Sequence, residues 1–163
     1  DEIDDMVTGG LDLMGFIAFV MLIAGGFANV LNTSGAVVHL VNDTAAMMEG
    51  ASLVVSAIVL LAIGLVITMG IGTSFGTIPV VAAIYVPLAQ QLGFSKSAII
   101  LLIGIAAALG DAGSPASDST MGPTSGLNAD GQHDHIMDTC VPTFIAFDVF
   151  LVIGGVIGSV LLS

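Results

Sequence analysis

Positive charge is what this sequence lacks most. Lys96 is its single Lys or Arg, set against 13 Asp and Glu, and the formal net charge is -12. Such a chain has nothing with which to neutralise phosphates, so nucleic acid is excluded as a partner. The same scarcity removes the usual guide to membrane orientation, which reads Lys and Arg in short loops. Lys96 alone favours a cytoplasmic loop over residues 90–97. Charge of either sign is scarce. Charged residues make up 9% of the chain, where a soluble domain carries about 25%. With one cysteine, Cys140, no internal disulfide can form. The opening DEIDDMVTGG is neither basic nor apolar, so it is no signal peptide, and without an initiating Met it leads us to expect a fragment or a processed chain.

What fills the chain instead is hydrocarbon. Hydrophobic residues reach 56% and mean hydropathy is +1.10. This composition excludes an ordinary soluble domain and predicts an all-α, polytopic transmembrane helix bundle, a single membrane domain over residues 1–163 whose first partner is the lipid bilayer. Residues 1–12 place Ile3, Val7 and Leu11 every four positions among acids, which predicts an acidic interfacial segment. Apolar runs at 13–31, 53–69 and 141–162 are long enough to span, since a hydrocarbon core of about 30 Å needs about 20 helical residues. Runs at 80–92 and 98–109 are too short alone. Ser95 can cap the second of these. Between the runs lie two polar breaks, at 70–79 and 110–126. Short, Gly/Pro-interrupted apolar segments of this kind point to a transporter binding site.

The first break holds Gly70, Gly72, Gly76, Thr73, Ser74, Thr77 and Pro79, and a regular helix is not expected through it. Its Gly72-Thr73-Ser74-Phe75-Gly76 fits the hydrolase pattern G-x-S-x-G. That pattern needs a strand before it, and here a helix-length span precedes it, so an enzyme is not expected. The hydroxyls of Thr73, Ser74 and Thr77 and freed carbonyls suit a cation instead, or the break serves only close helix packing. In the second break Asp111, Ser114 and Asp118 recur at helical spacing, although Gly113 and Pro115 oppose a regular helix. An acid beside an apolar span marks a functional site. A buried carboxylate is stabilised by a proton or by a cation, and competition between the two is the simplest basis for exchange.

Residues 130–140 gather Asp130, His133, Asp134, His135, Asp138 and Cys140 without the spacing of a zinc site. They read as a polar connection in which His133 or His135 could tune proton access. Asp148 lies within the last apolar run, either facing the bundle interior or reaching the membrane edge, and Gly154 and Gly158 form a G-x-x-x-G pair there.

Over GIGTSFGTIP (70–79) and GDAGSPASDSTMGPTSGLNADGQHDH (110–135) the sequence resembles the NhaC-like sodium/proton antiporter family of the ion-transporter superfamily, in its C-terminal half. The resemblance implies one repeat of an inverted pair, with a re-entrant hairpin tipped at 72–77 and a discontinuous helix broken at 110–120. Their tips would meet at a site lined by Asp111, Ser114, Asp118 and Ser119. A full family member is more than twice this length. The missing N-terminal half, or a second copy in a homo-oligomer, would complete the site. The near absence of Lys and Arg departs from the family.

The expected function is therefore sodium/proton antiport by alternating access in a multi-pass prokaryotic cell membrane. Asp111 and Asp118 would carry the ion or proton, and Ser114, Ser119, Thr73, Ser74 and Thr77 would coordinate it. Na+ and H+ are transported ions, and no resident cofactor or other metal is expected. The alternatives are a sodium- or proton-coupled permease for amino acids or carboxylates and, from another class, a non-transporting membrane subunit or fragment.

Overall fold

Serines cap the start of three helices, and a left-handed glycine, Gly72, ends one. The computed structural model describes residues 4, 7, 8, 19, 22, 23, 26, 29, 30 and 33–163. The expected interfacial segment 1–12 and first long span 13–31 lie, as continuous elements, outside the described residues. The described elements are all helical: α1 (Ala36–Met47), α2 (Leu53–Ile71), α3 (Ser74–Gln91), α4 (Lys96–Asp111), α5 (Asp118–Leu127), a π-helical segment (His135–Cys140) and α6 (Val141–Leu162). Ser52 caps α2 by accepting from the Val55 amide at 3.4 Å, and Ser95 caps α4 by accepting from the Ala98 amide at 3.2 Å. Side-chain acceptors at these positions satisfy amides that have no partner inside the helix.

Both polar breaks are shorter than the composition suggests. The first shrinks to Gly72 and Thr73. Gly72 takes φ 74, the left-handed conformation that ends a helix, and α3 begins at Ser74. Contrary to expectation, α3 then runs through Pro79 and Pro87. Each proline removes one N–H from the helical ladder, a loss that apolar, packed helices tolerate. In the second break α4 continues through Gly110 to Asp111, residues 112–117 are irregular, and α5 starts at Asp118.

Helix α4 is the centre, packing against α2, α3 and α6. Its buried Ala98, Leu102, Ala106 and Leu109 meet Leu60 and Leu61 of α2 and Tyr85 and Leu88 of α3 in one apolar core. Small residues set the approach. A Cβ on Gly64 would stand 2.4 Å from Ala106 Cβ, and one on Gly110 would stand 2.3 Å from the Met69 amide nitrogen. Two buried hydroxyls tie the same helices: Thr68 donates to the Ala106 carbonyl at 2.7 Å, and Tyr85 donates to the Leu60 carbonyl. Because residues 64 and 68–69 meet 106 and 110 in that order, α2 and α4 run in the same direction, with α3 returning between them. On α6 the expected Gly154–Gly158 pair does not make the contact. Gly154 faces open space, whereas Gly155 meets Leu61 and Ile105, and Gly158 meets Leu101.

Among the described residues, two helices are long and apolar enough to cross a membrane. Leu53–Ile71 has mean hydropathy 2.7, and the continuous helix His135–Leu162 has 2.4 over its best window. Their outward faces are apolar as well: α2 exposes Ile58 and Val66, and α6 exposes Phe147, Phe150 and Ile157. A helix apolar on all sides belongs in lipid or against further protein.

The Gly110 contact is backbone against backbone, so no side chain can yield. Gly110→Ala is expected to destabilise the bundle by about 3 kcal/mol or more, beyond ordinary overpacking, seen as a lower melting temperature of the purified protein. Gly104→Ala, on the same helix with nothing within 4 Å of its added Cβ, should leave melting unchanged.

Candidate functional site

Since α2 and α4 run together, their C-terminal ends lie level, and the N-terminus of α3 returns to the same place. Asp111, the last residue of α4, is half-buried there. Its Oδ2 accepts from Ser74 Oγ, the first residue of α3, at 2.5 Å, and its Oδ1 accepts from Ser117 Oγ. Its backbone carbonyl accepts from Ser119 Oγ at 2.7 Å, and the Ser117 and Ser119 hydroxyls lie 2.9 Å apart. The Ala107 carbonyl completes the ring, 3.1 Å from Ser74 Oγ. Hydroxyls from the N-terminal ends of α3 and α5 thus converge on the last residue of α4. The N-termini of α3 and α5 contribute positive dipole ends that favour its charge, and the C-terminus of α4 contributes a negative end that favours a cation. Carboxylate, hydroxyl and carbonyl oxygens are the hard donors that small cations prefer.

Ser117 is the organiser that spacing along the chain did not single out. It is fully buried, caps α5 by accepting from the Ser119 amide at 3.2 Å, and reaches Asp111 with its hydroxyl proton. Its signal was available in Ser117-Asp118-Ser119-Thr120, a helix start with an acid in the first turn. A regular helical register through 111–118 points Asp118 inward. The irregular backbone at 112–117 breaks that register and turns Asp118 outward as the exposed first residue of α5.

The other expected residues are placed as follows. Ser114 is buried against α2, its hydroxyl 3.4 Å from the Met69 carbonyl and accepting from the Ala116 amide, and its own carbonyl accepts from Thr120 Oγ1. It shapes the loop and does not reach the Asp111 carboxylate. Thr73 precedes α3 without a side-chain cap, and Thr77 turns its hydroxyl to the Thr73 carbonyl at 2.8 Å. The structure therefore brings Asp111, Ser74 and Ser119 together, and leaves Ser114, Thr73, Thr77 and Asp118 outside that ring.

Of the two histidines in 130–140, His135 holds the loop. His135 Nε2 lies 2.8 Å from the Pro115 carbonyl, which can only accept, so this nitrogen carries a proton; Nδ1 lies 2.7 Å from Thr124 Oγ1. His133 Nε2 lies 2.6 Å from Thr139 Oγ1, with Nδ1 4.0 Å from Asp138 Oδ2. Among the described residues no three His, Cys, Asp or Glu side chains gather as a metal site.

A family model described as the Na+/H+ antiporter family matches residues 1–159. The chain is 60% identical over 162 residues to a Bacillus subtilis (strain 168) protein named "Putative amino acid transporter YuiF", covering 99% of this chain and 36% of that protein. It is 53% identical over 161 residues to an uncharacterised membrane protein of Vibrio parahaemolyticus, and 52% identical over 161 residues to one of Haemophilus influenzae, again covering 99% of this chain and 36% of each relative. The chain thus spans about a third of the length of the relatives it matches. No solved structure matches it.

Ser117→Ala is expected to speed amide hydrogen exchange in the first turn of α5 about fivefold, the equivalent of about 1 kcal/mol for a lost N-cap. Thr73→Ala, whose hydroxyl caps nothing, should leave that exchange unchanged.

Proposed function

The chain belongs to the Na+/H+ antiporter family, and on that footing we propose that it supplies one ion-binding half of a secondary transporter exchanging sodium for protons by alternating access. The observation that carries this reading is Asp111, its carboxylate held by the Ser74 and Ser117 hydroxyls and its backbone carbonyl by Ser119, where three helix ends meet. One carboxylate in such a ring holds a sodium ion through the surrounding oxygens or a proton through its own, and binding one displaces the other. Asp111 is the carrier. Asp118, exposed beside it, acts on the ion's approach, and His135 positions the loop through Pro115.

In this reading α2 and α3 form the re-entrant hairpin with its tip at Gly72 and Thr73, and α4 and α5 form the discontinuous helix broken at 112–117. Two features support it. The Gly72 tip packs on Ala116 of the break, where an added Cβ would stand 3.2 Å from Ala116 Cβ. Helix α4, at 16 residues, reaches only about 24 Å, short of the roughly 30 Å hydrocarbon core. The opposing half of the site comes from the rest of the transporter or a second copy, in a multi-pass bacterial plasma membrane.

A second reading is a cation-coupled amino-acid permease, favoured by the name of the Bacillus subtilis relative. The N-termini of α3 and α5 beside the site could take a substrate carboxylate.

Proteoliposomes holding the full-length transporter and a pH-sensitive dye separate the two. A sodium gradient is expected to drive proton flux, and Asp111→Asn to lower its initial rate about tenfold or more, since a hydrogen bond to a charged group is worth about 1.5–3 kcal/mol. Thr77→Ala should leave the rate unchanged. Uptake of labelled amino acids with no sodium-driven dye response would favour the permease instead.

A further inference from the structure

A second carboxyl group lies outside this network. Asp148 of α6 is 3% exposed, and neither of its carboxylate oxygens has a hydrogen-bond partner among the described residues. Among the described residues it is the one polar side chain lining an open groove of about 320 Å³ formed with Leu65, Phe144, Val149, Val152 and Ile153. Phe144 packs on Gly113 and Gly155 packs on Ile105. These contacts bracket Asp148 at the level of the last turn of α4, the turn that carries Asp111. Phe144 also walls a neighbouring groove with Met69, Gly113 and Pro115, so one aromatic ring divides Asp148 from the loop of the Asp111 site.

Among the described residues nothing neutralises Asp148. Of the elements packed on α6, α2 carries no titratable side chain, and α4 carries only Lys96 and Asp111 at opposite ends. Lys96 lies at the end where Ser95 donates to the Leu162 carbonyl at 2.6 Å, about 21 Å along α6 from Asp148. In the π-helical segment His135 is bonded to Pro115 and Thr124, Asp138 accepts from the Asp134 amide, and Cys140 lines the neighbouring groove. Residues 1–32 contain no Lys, Arg or His. An ionised carboxylate without a donor in such surroundings is costly unless it is neutralised. A sodium ion needs several oxygens, and this groove offers only the two of Asp148. A proton needs one.

We propose that Asp148 is a second proton-binding site, distinct from Asp111: the hydrocarbon-lined carboxyl holds a proton that sodium does not displace, beside the hydroxyl-held one where proton and cation compete. Two carboxyls at one level, in opposed surroundings, then differ in what they bind. The link to transport rests on the antiport reading above; the protonation of Asp148 does not.

Infrared difference spectroscopy on the full-length transporter at neutral pH tests it. Wild type minus Asp148→Asn is expected to show the carbonyl band of a protonated carboxyl, which persists in Asp111→Asn and does not respond to sodium. An ionised carboxylate signal in its place overturns the proposal, and is what a basic side chain from elsewhere in the transporter would produce. If Asp148→Asn fails to fold, Asp148→Glu should move the band, and an unmoved band overturns the assignment. In proteoliposomes Asp148→Asn should keep the sodium-dependent rise in melting temperature yet lose proton-coupled flux about 100-fold, the scale of a positioned proton-transfer group. Unchanged flux with an unchanged pH profile overturns the proposal. If sodium neither raises the melting temperature nor drives flux in wild type, the antiport reading fails, and the infrared band alone decides Asp148.

Discussion

The contact of Gly110 with the backbone of Thr68 and Met69 is the constraint on which the rest depends. Only a residue without a Cβ lets α4 lie that close to α2. Gly64 against Ala106 repeats the approach one turn earlier, and the Thr68 hydroxyl bonds across the same seam. Van der Waals contact between small residues, together with buried hydroxyl bonds, is what holds helices together where there is little water to expel. The close seam makes α2 and α4 end level. It therefore decides that the Gly72 turn, the start of α3 and the Asp111 carboxylate meet in one place.

From that meeting point the two acids differ in what surrounds them. Asp111 has hydroxyls from three serines on its carboxylate or its backbone carbonyl. Asp148, at the same level, has hydrocarbon. The contrast follows from the backbone. Helix ends and an irregular loop expose carbonyls, amides and capping serines around Asp111. Asp148 lies within a continuous helix whose own polar backbone is already satisfied.

The site is also open on one side. Ser119 and Asp118 are exposed, as are the outward faces of α2 and α6. A chain matching 36% of the length of its relatives leaves room for much further protein to cover those faces. Exposed apolar surface of this extent belongs against lipid or another part of a transporter.

By itself, the sequence determined the class of molecule and most helix positions. Hydrophobic run length reports directly on helices that are apolar on all sides, so 53–69 and 141–162 were legible to within two residues of α2 and α6. Ser95 was legible as a cap, and Asp111 as an acid too costly to sit beside an apolar span without purpose. Other features were decided only by tertiary structure. Helix α3 passes through two prolines that local propensity would use to end it, because propensity is worth a few kcal/mol and packing can outweigh it. Ser117 replaced Asp118 beside Asp111, because six irregular residues (112–117) reset the register on which the spacing argument relied. Asp148 was visible as a charge in an apolar run, but whether it paired, reached the surface or stayed alone depended on which helices stood around it. Sequence spacing carries information only while the backbone stays regular, and at Asp111 and Asp148 the outcome was set by breaks and neighbours that no local window contains.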